Sequence, residues 1–237
     1  MPQVYSQIVA SLTSLKNPSK IEFFKRFFKT GPGQYGEGDQ FYGLTVPQVH
    51  SVELEFWKQA TLDDLQKLLL GPVHEFRCVA LLILTRQFTK ASPDVKHQIY
   101  DLYLANTTHI NNWDLVDLSA PKVVGLYLLD KPRDILYDLA KSVLLWDRRI
   151  AIVSTYAFIR QNQFDDTLNI SKILIGDKED LIHKAVGWML REVGKRDLKV
   201  LTDFLDIYAT HLPRTALRYA IEKFPEPQRQ YYLKLTT

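Results

Sequence analysis

The chain has 237 residues, 46% of them hydrophobic and 24% charged, with a formal net charge of +3. That length supports a sizeable core without staples. The single cysteine, Cys78, excludes an internal disulfide and a cysteine-built zinc site. A mild positive charge does not by itself argue for nucleic acid, so its distribution has to decide. The six histidines are scattered without ligand spacing, and neither a metal nor another cofactor is expected. The first residues lack a basic segment followed by a long apolar run, and stretches such as Val79 to Leu84 are too short for a bilayer. The expectation is a cytoplasmic protein with no membrane partner.

Along the chain, no long stretch alternates apolar and polar residues, and helical spacing is almost everywhere. The segment Thr30 to Gly43 breaks it and reads as a flexible loop. Gly31, Gly33 and Gly36 match G-x-G-x-x-G, but a dinucleotide site needs a strand before and a helix after, and neither pattern is there. Thr61 and Asp64 form a capping box before a helix over Asp63–Leu70. Phe76, Val79, Ala80, Ile83 and Leu84 make one apolar stripe. Ser92 is placed to cap a helix whose first turn holds Pro93. Asn111 or Asn112 can cap the helix that begins near Trp113. Further stripes are Ile152, Val153, Tyr156, Ala157 and Ile159, then Val186, Met189, Leu190 and Val193. The last main helix is expected over Arg214 to Phe224.

Arg77, Trp113, Arg149 and Lys184 each stand near a helix start, roughly 35 residues apart, with Arg214 after a shorter gap. A partner helix precedes each of them: Asp63–Leu70, Val95–Ala105, Pro132–Ser142, Thr167–Ile175 and Leu198–Ala209. One such pair cannot bury its apolar face alone, so the pairs must stack. The expectation is an all-α fold of stacked antiparallel helix pairs, a HEAT-like solenoid with a concave face, forming one domain over residues 1–237.

The candidate chemistry lies off the core stripes. Trp188 falls opposite Val186, Met189, Leu190 and Val193, beside Lys184, Arg191 and Lys195. It is either an aromatic platform in a basic nucleic-acid surface or a ring covered by the next helix layer with basic side chains lying along it. Asp117 is i+4 from Trp113, which puts a carboxylate and an indole on one helix face. The plainer reading of Asp117 is an ion pair with Arg149, one repeat later. Asp114, in the first turn, is explained by the helix dipole. Arg77, Arg148 or Arg149, Lys184, and Arg214 with Arg218 recur at one repeat position and would form a basic stripe suited to a phosphate backbone. The other reading is a set of solvated helix starts held by local acids.

These residues carry a resemblance. Asn112-Trp113-Asp114-Leu115-Val116-Asp117, followed by Pro121 and Gly125, resembles the W-D-x-V-D…P…G segment of the AlkD-type DNA alkylation repair glycosylases. Trp146-Asp147-Arg148-Arg149-Ile150-Ala151 resembles that family's W-x-x-R-x-A segment. Lys184 to Glu192 resembles its K-A-I-G-W-x-L-R-E segment. The likeness runs from Asn17-Pro18 to Arg214-Thr215-Ala216. It implies a helical-repeat stack that cradles duplex DNA and hydrolyses the N-glycosidic bond of cationic alkylpurines, N3-alkyladenine and N7-alkylguanine, without flipping the base. It implies Trp113, Asp117 and Trp188 around the lesion's deoxyribose and Arg149 on the DNA backbone. With it go Arg148, Lys184, Arg191, Lys195, Arg214 and Thr45 as DNA contacts, in a monomeric enzyme. The departures are Val46 beside Thr45, Phe27 at an aromatic position where it has no hydroxyl, and the inserted Thr30 to Gln40. A non-catalytic relative that binds damaged or bent DNA is the alternative, and a helical scaffold for protein partners the third.

Overall fold

The computed structural model describes residues 3–235. It is an all-α helical-repeat protein, and among the described residues the only strand-like pairing is an isolated bridge between Gln40 and Val73. Contacts divide it into two compact units, residues 1–127 and 128–237.

The first unit holds α1 (Val4–Ser14), α2 (Pro18–Phe27), α3 (Val46–Phe56), α4 (Leu62–Leu69), α5 (His74–Lys90), α6 (Pro93–Ala105) and α7 (Trp113–Ser119). Its centre is α5, which packs on α3, α4, α6 and α7. The sequence suggests one apolar stripe here, but every residue from Val79 to Thr85 is buried. A helix covered on all sides belongs in the middle of a core, where each buried Leu or Ile contributes about 1.5–3 kcal/mol. The capping box of α4 forms as expected. Thr61 Oγ1 accepts from the Asp64 N–H at 3.2 Å, and Asp64 accepts from the Thr61 N–H at 3.0 Å. Ser92 does occupy the N-cap of α6, but its hydroxyl makes no capping bond.

No strand precedes the three glycines and no helix opens from them, so the glycine spacing is accidental. The expected flexibility of Thr30 to Gly43 needs correcting for its second half, which is tied to the start of α5. The buried Glu75 carboxylate accepts from the backbone N–H groups of Tyr42, Gly43 and Leu44 at 2.8–3.1 Å. Gly43 has φ +80°, and a Cβ there would sit 2.3 Å from the Asn17 carbonyl oxygen, so only glycine fits.

The second unit holds α8 (Asp134–Leu139), α9 (Leu145–Ser154), α10 (Tyr156–Ile159), α11 (Asp165–Ile173), α12 (Asp180–Arg196), α13 (Leu198–Tyr208), α14 (Arg214–Ala220) and α15 (Glu226–Leu235). Here α12 is central and packs on α9, α13 and α14. Two expectations are revised. The stripe from Ile152 to Ile159 is interrupted at Thr155, whose hydroxyl bonds back to the Ile152 carbonyl at 2.7 Å. The helix expected over Arg214 to Phe224 ends at Ala220, and α15 follows it. Gly187 lets α12 approach α14: a Cβ would meet the Ala216 carbonyl oxygen at 2.4 Å and Tyr219 Cβ at 2.5 Å. Among the described residues no helix is long and apolar enough to cross a membrane.

Candidate functional site

In the first unit the site is built on α7. Of the two asparagines that could cap this helix, Asn112 does so, accepting from the Trp113 N–H at 2.9 Å. Leu115, Val116 and Ser119 turn into the core, which leaves Trp113 and Asp117 half-buried on the other side. Pro121 has no N–H to offer the Asp117 carbonyl four residues back. The chain widens there into a single turn closed by the Gly125 N–H on the Ala120 carbonyl at 2.9 Å. Such wide turns in helices often accompany functional positions.

Trp113 is braced from α2 and the residue after it. Its ring lies 5.7 Å from Phe28, and the edge contact to Phe27 is 5.8 Å. Phe27 in turn stacks on Phe23 at 6.0 Å. Phe27 and Phe23 are 50% and 60% exposed, so an aromatic ridge runs outward from the tryptophan. Phe23 has no place in the sequence reading. Its signal was the pair of phenylalanines four apart in α2, a helix with no buried residue.

Beneath α7 lies a charged cluster that sequence reasoning also missed. His74 is buried against the rings of Phe28 and Phe41, each 4.8 Å away. Its Nε2 meets Asp114 Oδ2 at 2.8 Å and its Nδ1 meets Asp39 Oδ2 at 3.2 Å. Burial alone would push the imidazole's pKa down. The Asp114 charge and hydrogen bond, then the Asp39 bond, outweigh it and raise the pKa to about 9. Asp39 also accepts from Arg77 at 2.6 Å and from Asn111 at 3.0 Å. Burial raises the Asp39 carboxyl, but His74 and Arg77 hold it below its ordinary range. Asp114 is therefore more than a dipole partner, since it ties the first turn of α7 to α5. Arg77, expected in the basic stripe, is instead a buried member of this cluster, because Asp39 and the Gly71 carbonyl take up its guanidinium. Under Asp117, burial and then the Asp117 charge raise the Tyr103 phenol well above its usual value. The Tyr103 hydroxyl lies 2.9 Å from Ser119 Oγ.

In the second unit, Trp188 is half-buried, with the ring of Tyr156 tilted against it at 6.2 Å. It is thus neither sealed under a helix layer nor fully bare. The cations around it have local partners. Lys184 meets Asp180 at 2.8 Å, Lys195 meets Glu192 at 2.6 Å, and Arg191 bonds to Glu222. Arg214 donates to the Leu233 carbonyl at 2.7 Å. Arg148 is held by Asp177 at 2.6 Å and by the Ser142 and Val143 carbonyls at 3.0 Å. Arg149 is only 4% exposed and donates to the Leu181 carbonyl in the first turn of α12. That bond gives it a structural task between α9 and α12. Thr45, in the first unit, N-caps α3, its hydroxyl 2.8 Å from Gln48 Oε1.

The family model described as DNA alkylation repair enzyme matches residues 8–224. A solved structure described as a predicted DNA alkylation repair enzyme from Enterococcus faecalis is 17% identical, with a TM-score of 0.69, covering 89% of this chain and 97% of that one. At that identity the likeness speaks for the fold. Among curated protein sequences none is significantly similar.

Proposed function

The chain belongs to the DNA alkylation repair enzyme family, and from that premise we propose that it is a monofunctional DNA glycosylase acting on cationic alkylpurines in duplex DNA. The observation that carries the reading is the outward face of α7, where Trp113 and Asp117 stand one turn apart beside the Phe27–Phe23 ridge.

The chemistry asks for little else. An N-glycosidic bond breaks through an oxocarbenium-like sugar. A purine alkylated at N3 or N7 already carries a positive charge, so the electron pair of the breaking bond leaves it as a neutral base. No acid has to protonate it and no second carboxylate is required. The Asp117 carboxylate offsets the charge that develops on the sugar and orients the water that adds to the anomeric carbon, the water's surplus proton being lost to solvent. The electron-rich face of Trp113 favours a cationic sugar beside it, and Trp188 is proposed for the same role. No amine nucleophile is needed, and the product is an abasic site plus free base.

Lys184, Arg191, Lys195 and Arg214 are proposed to meet phosphates by exchanging their present partners. Lys184 and Lys195 are both about 40% exposed in surface pairs, which are individually worth roughly 0–1 kcal/mol and are readily given up. Thr45 is proposed as a further backbone contact. Arg148 and Arg149 act through the fold, as supports of α9 and α12. Replacing Asp117 with Asn tests the assignment. Release of 7-methylguanine should fall by about 100- to 1000-fold while affinity for duplex DNA stays near normal, and unchanged release would remove Asp117 from the reaction.

A further inference from the structure

The C-terminal end of α5 carries a second concave feature. A shallow cavity of about 410 Å³, widely open to solvent, lies between the turn from α3 to α4 and the turn from α5 to α6. That volume lies within the roughly 300–1,000 Å³ of small-ligand sites. Its wall is the ring of Trp57, and Lys58, Lys90, Gln87 and Gln98 stand around it, with no carboxylate in the lining. α5 rises about 1.5 Å per residue, so Gln87 lies roughly 20 Å along it from His74, the residue that holds Asp114. The cavity is therefore separate from the face that carries Trp113 and Asp117.

Three cations surround the one indole. Lys58 Nζ and Lys90 Nζ each lie 5.4 Å from the Trp57 ring centre, and the Arg86 guanidinium lies 5.8 Å away. Arg86 is committed to the buried Glu53. Among the described residues Lys58 and Lys90 pair with no carboxylate, and the electron-rich ring is what they gather on. An anion entering the cavity would draw both ammonium groups to itself and free the ring face. The edge is fixed as well. Gln87 Nε2 spends its two N–H groups on the carbonyls of Trp57 and Ala60, both at 2.8 Å, which leaves its amide oxygen as an oriented acceptor. Cationic ligands are repelled here, and a purely apolar ligand would leave the lysines unused. A planar ring that bears hydrogen-bonding groups and a phosphate satisfies every element.

From this we infer that the Trp57 cavity is a binding site for a nucleoside phosphate, with the base stacked on Trp57, its edge toward Gln87, and the phosphate on Lys58 and Lys90. The same chemistry is offered by a free nucleotide and by one unit of a single-stranded DNA segment. Base–aromatic stacking and phosphate pairing together define single-strand sites of this kind.

The test follows the indole N–H signals of the full chain by nuclear magnetic resonance, with Trp57 assigned through Trp57→Phe. Deoxyadenosine monophosphate should shift the Trp57 signal saturably. Deoxyadenosine alone and inorganic phosphate alone should each bind about tenfold or more weaker. A single-stranded oligodeoxynucleotide that shifts the same signal at much lower concentration assigns the site to a strand, and a response no stronger than the mononucleotide's assigns it to the free nucleotide. Lys58→Ala with Lys90→Ala should weaken either ligand about tenfold. A Trp57 signal that neither ligand moves, or affinity unchanged by losing both lysines, overturns the inference. Trp57→Phe should leave 7-methylguanine release intact, so the outcome here is read separately from the reaction at Asp117.

Discussion

His74 makes stability fall as the solution turns alkaline. Its ordinary pKa of 6.5 is raised to about 9 in the fold, chiefly by the Asp114 charge acting against burial. Below pH 6.5 the imidazole is protonated folded and unfolded alike, and its contribution is fully present. As pH rises the unfolded chain loses that proton first, and folding then has to hold a proton the solvent no longer supplies. Raising the pKa from 6.5 to about 9 corresponds to about 3 kcal/mol, lost progressively as pH passes from about 6.5 through about 9. About 1 kcal/mol of it should be gone near pH 7.5. Urea unfolding at several pH values between about 6 and 9 measures the loss directly. His74→Gln should lower stability and flatten the profile, because leaving Asp39 and Asp114 without their shared cation is costly while the raised imidazole is gone from that window. Asp39, whose carboxyl is held low, changes charge only in acid and does not blur the result. Parallel pH profiles for the two proteins would show that His74 does not set the alkaline slope.

Other outcomes follow from single contacts. Gly187→Ala should destabilise by about 1–3 kcal/mol despite alanine's better helix propensity, because the methyl group meets α14 backbone; calorimetry decides it, and an unchanged melting temperature would contradict the close approach. Thr61→Ala should cost about 1 kcal/mol, read by denaturant midpoint, since it breaks the capping box that also orients Asp64 toward the Tyr5 N–H. Duplex affinity should fall steeply with salt. Lys184→Ala and Lys195→Ala should each reduce the slope by about one, and a flat salt response would favour a protein-binding scaffold.

Features that depend on neighbours three or four residues away were legible. The capping box at Thr61, a cap at Asn111 or Asn112 and the helices around Arg77, Trp113, Arg149 and Lys184 all follow from local spacing and backbone chemistry. So does the shared face of Trp113 and Asp117, because i and i+4 meet on any α-helix. What sequence spacing does not show is the identity of distant partners. Asp39 looked like a loop residue and His74 like one of several scattered histidines, yet they meet across 35 positions and share a cluster with Arg77 and Asp114. The same blindness put Arg77 and Arg149 on a surface stripe. A periodic arginine looks alike whether it faces solvent or a buried carbonyl, and only packing tells them apart. The break at Thr155 and the short α14 escaped notice because apolar spacing continues across both.

The activity proposed for this chain is breaking the bond between deoxyribose and a cationic alkylpurine. Incubating the wild-type protein with methylated duplex DNA and measuring free bases by chromatography tests it most directly. Release of 7-methylguanine and 3-methyladenine, leaving abasic sites, is the expected result. DNA that is bound but yields no free base would contradict it and identify the chain as a non-catalytic DNA-binding relative.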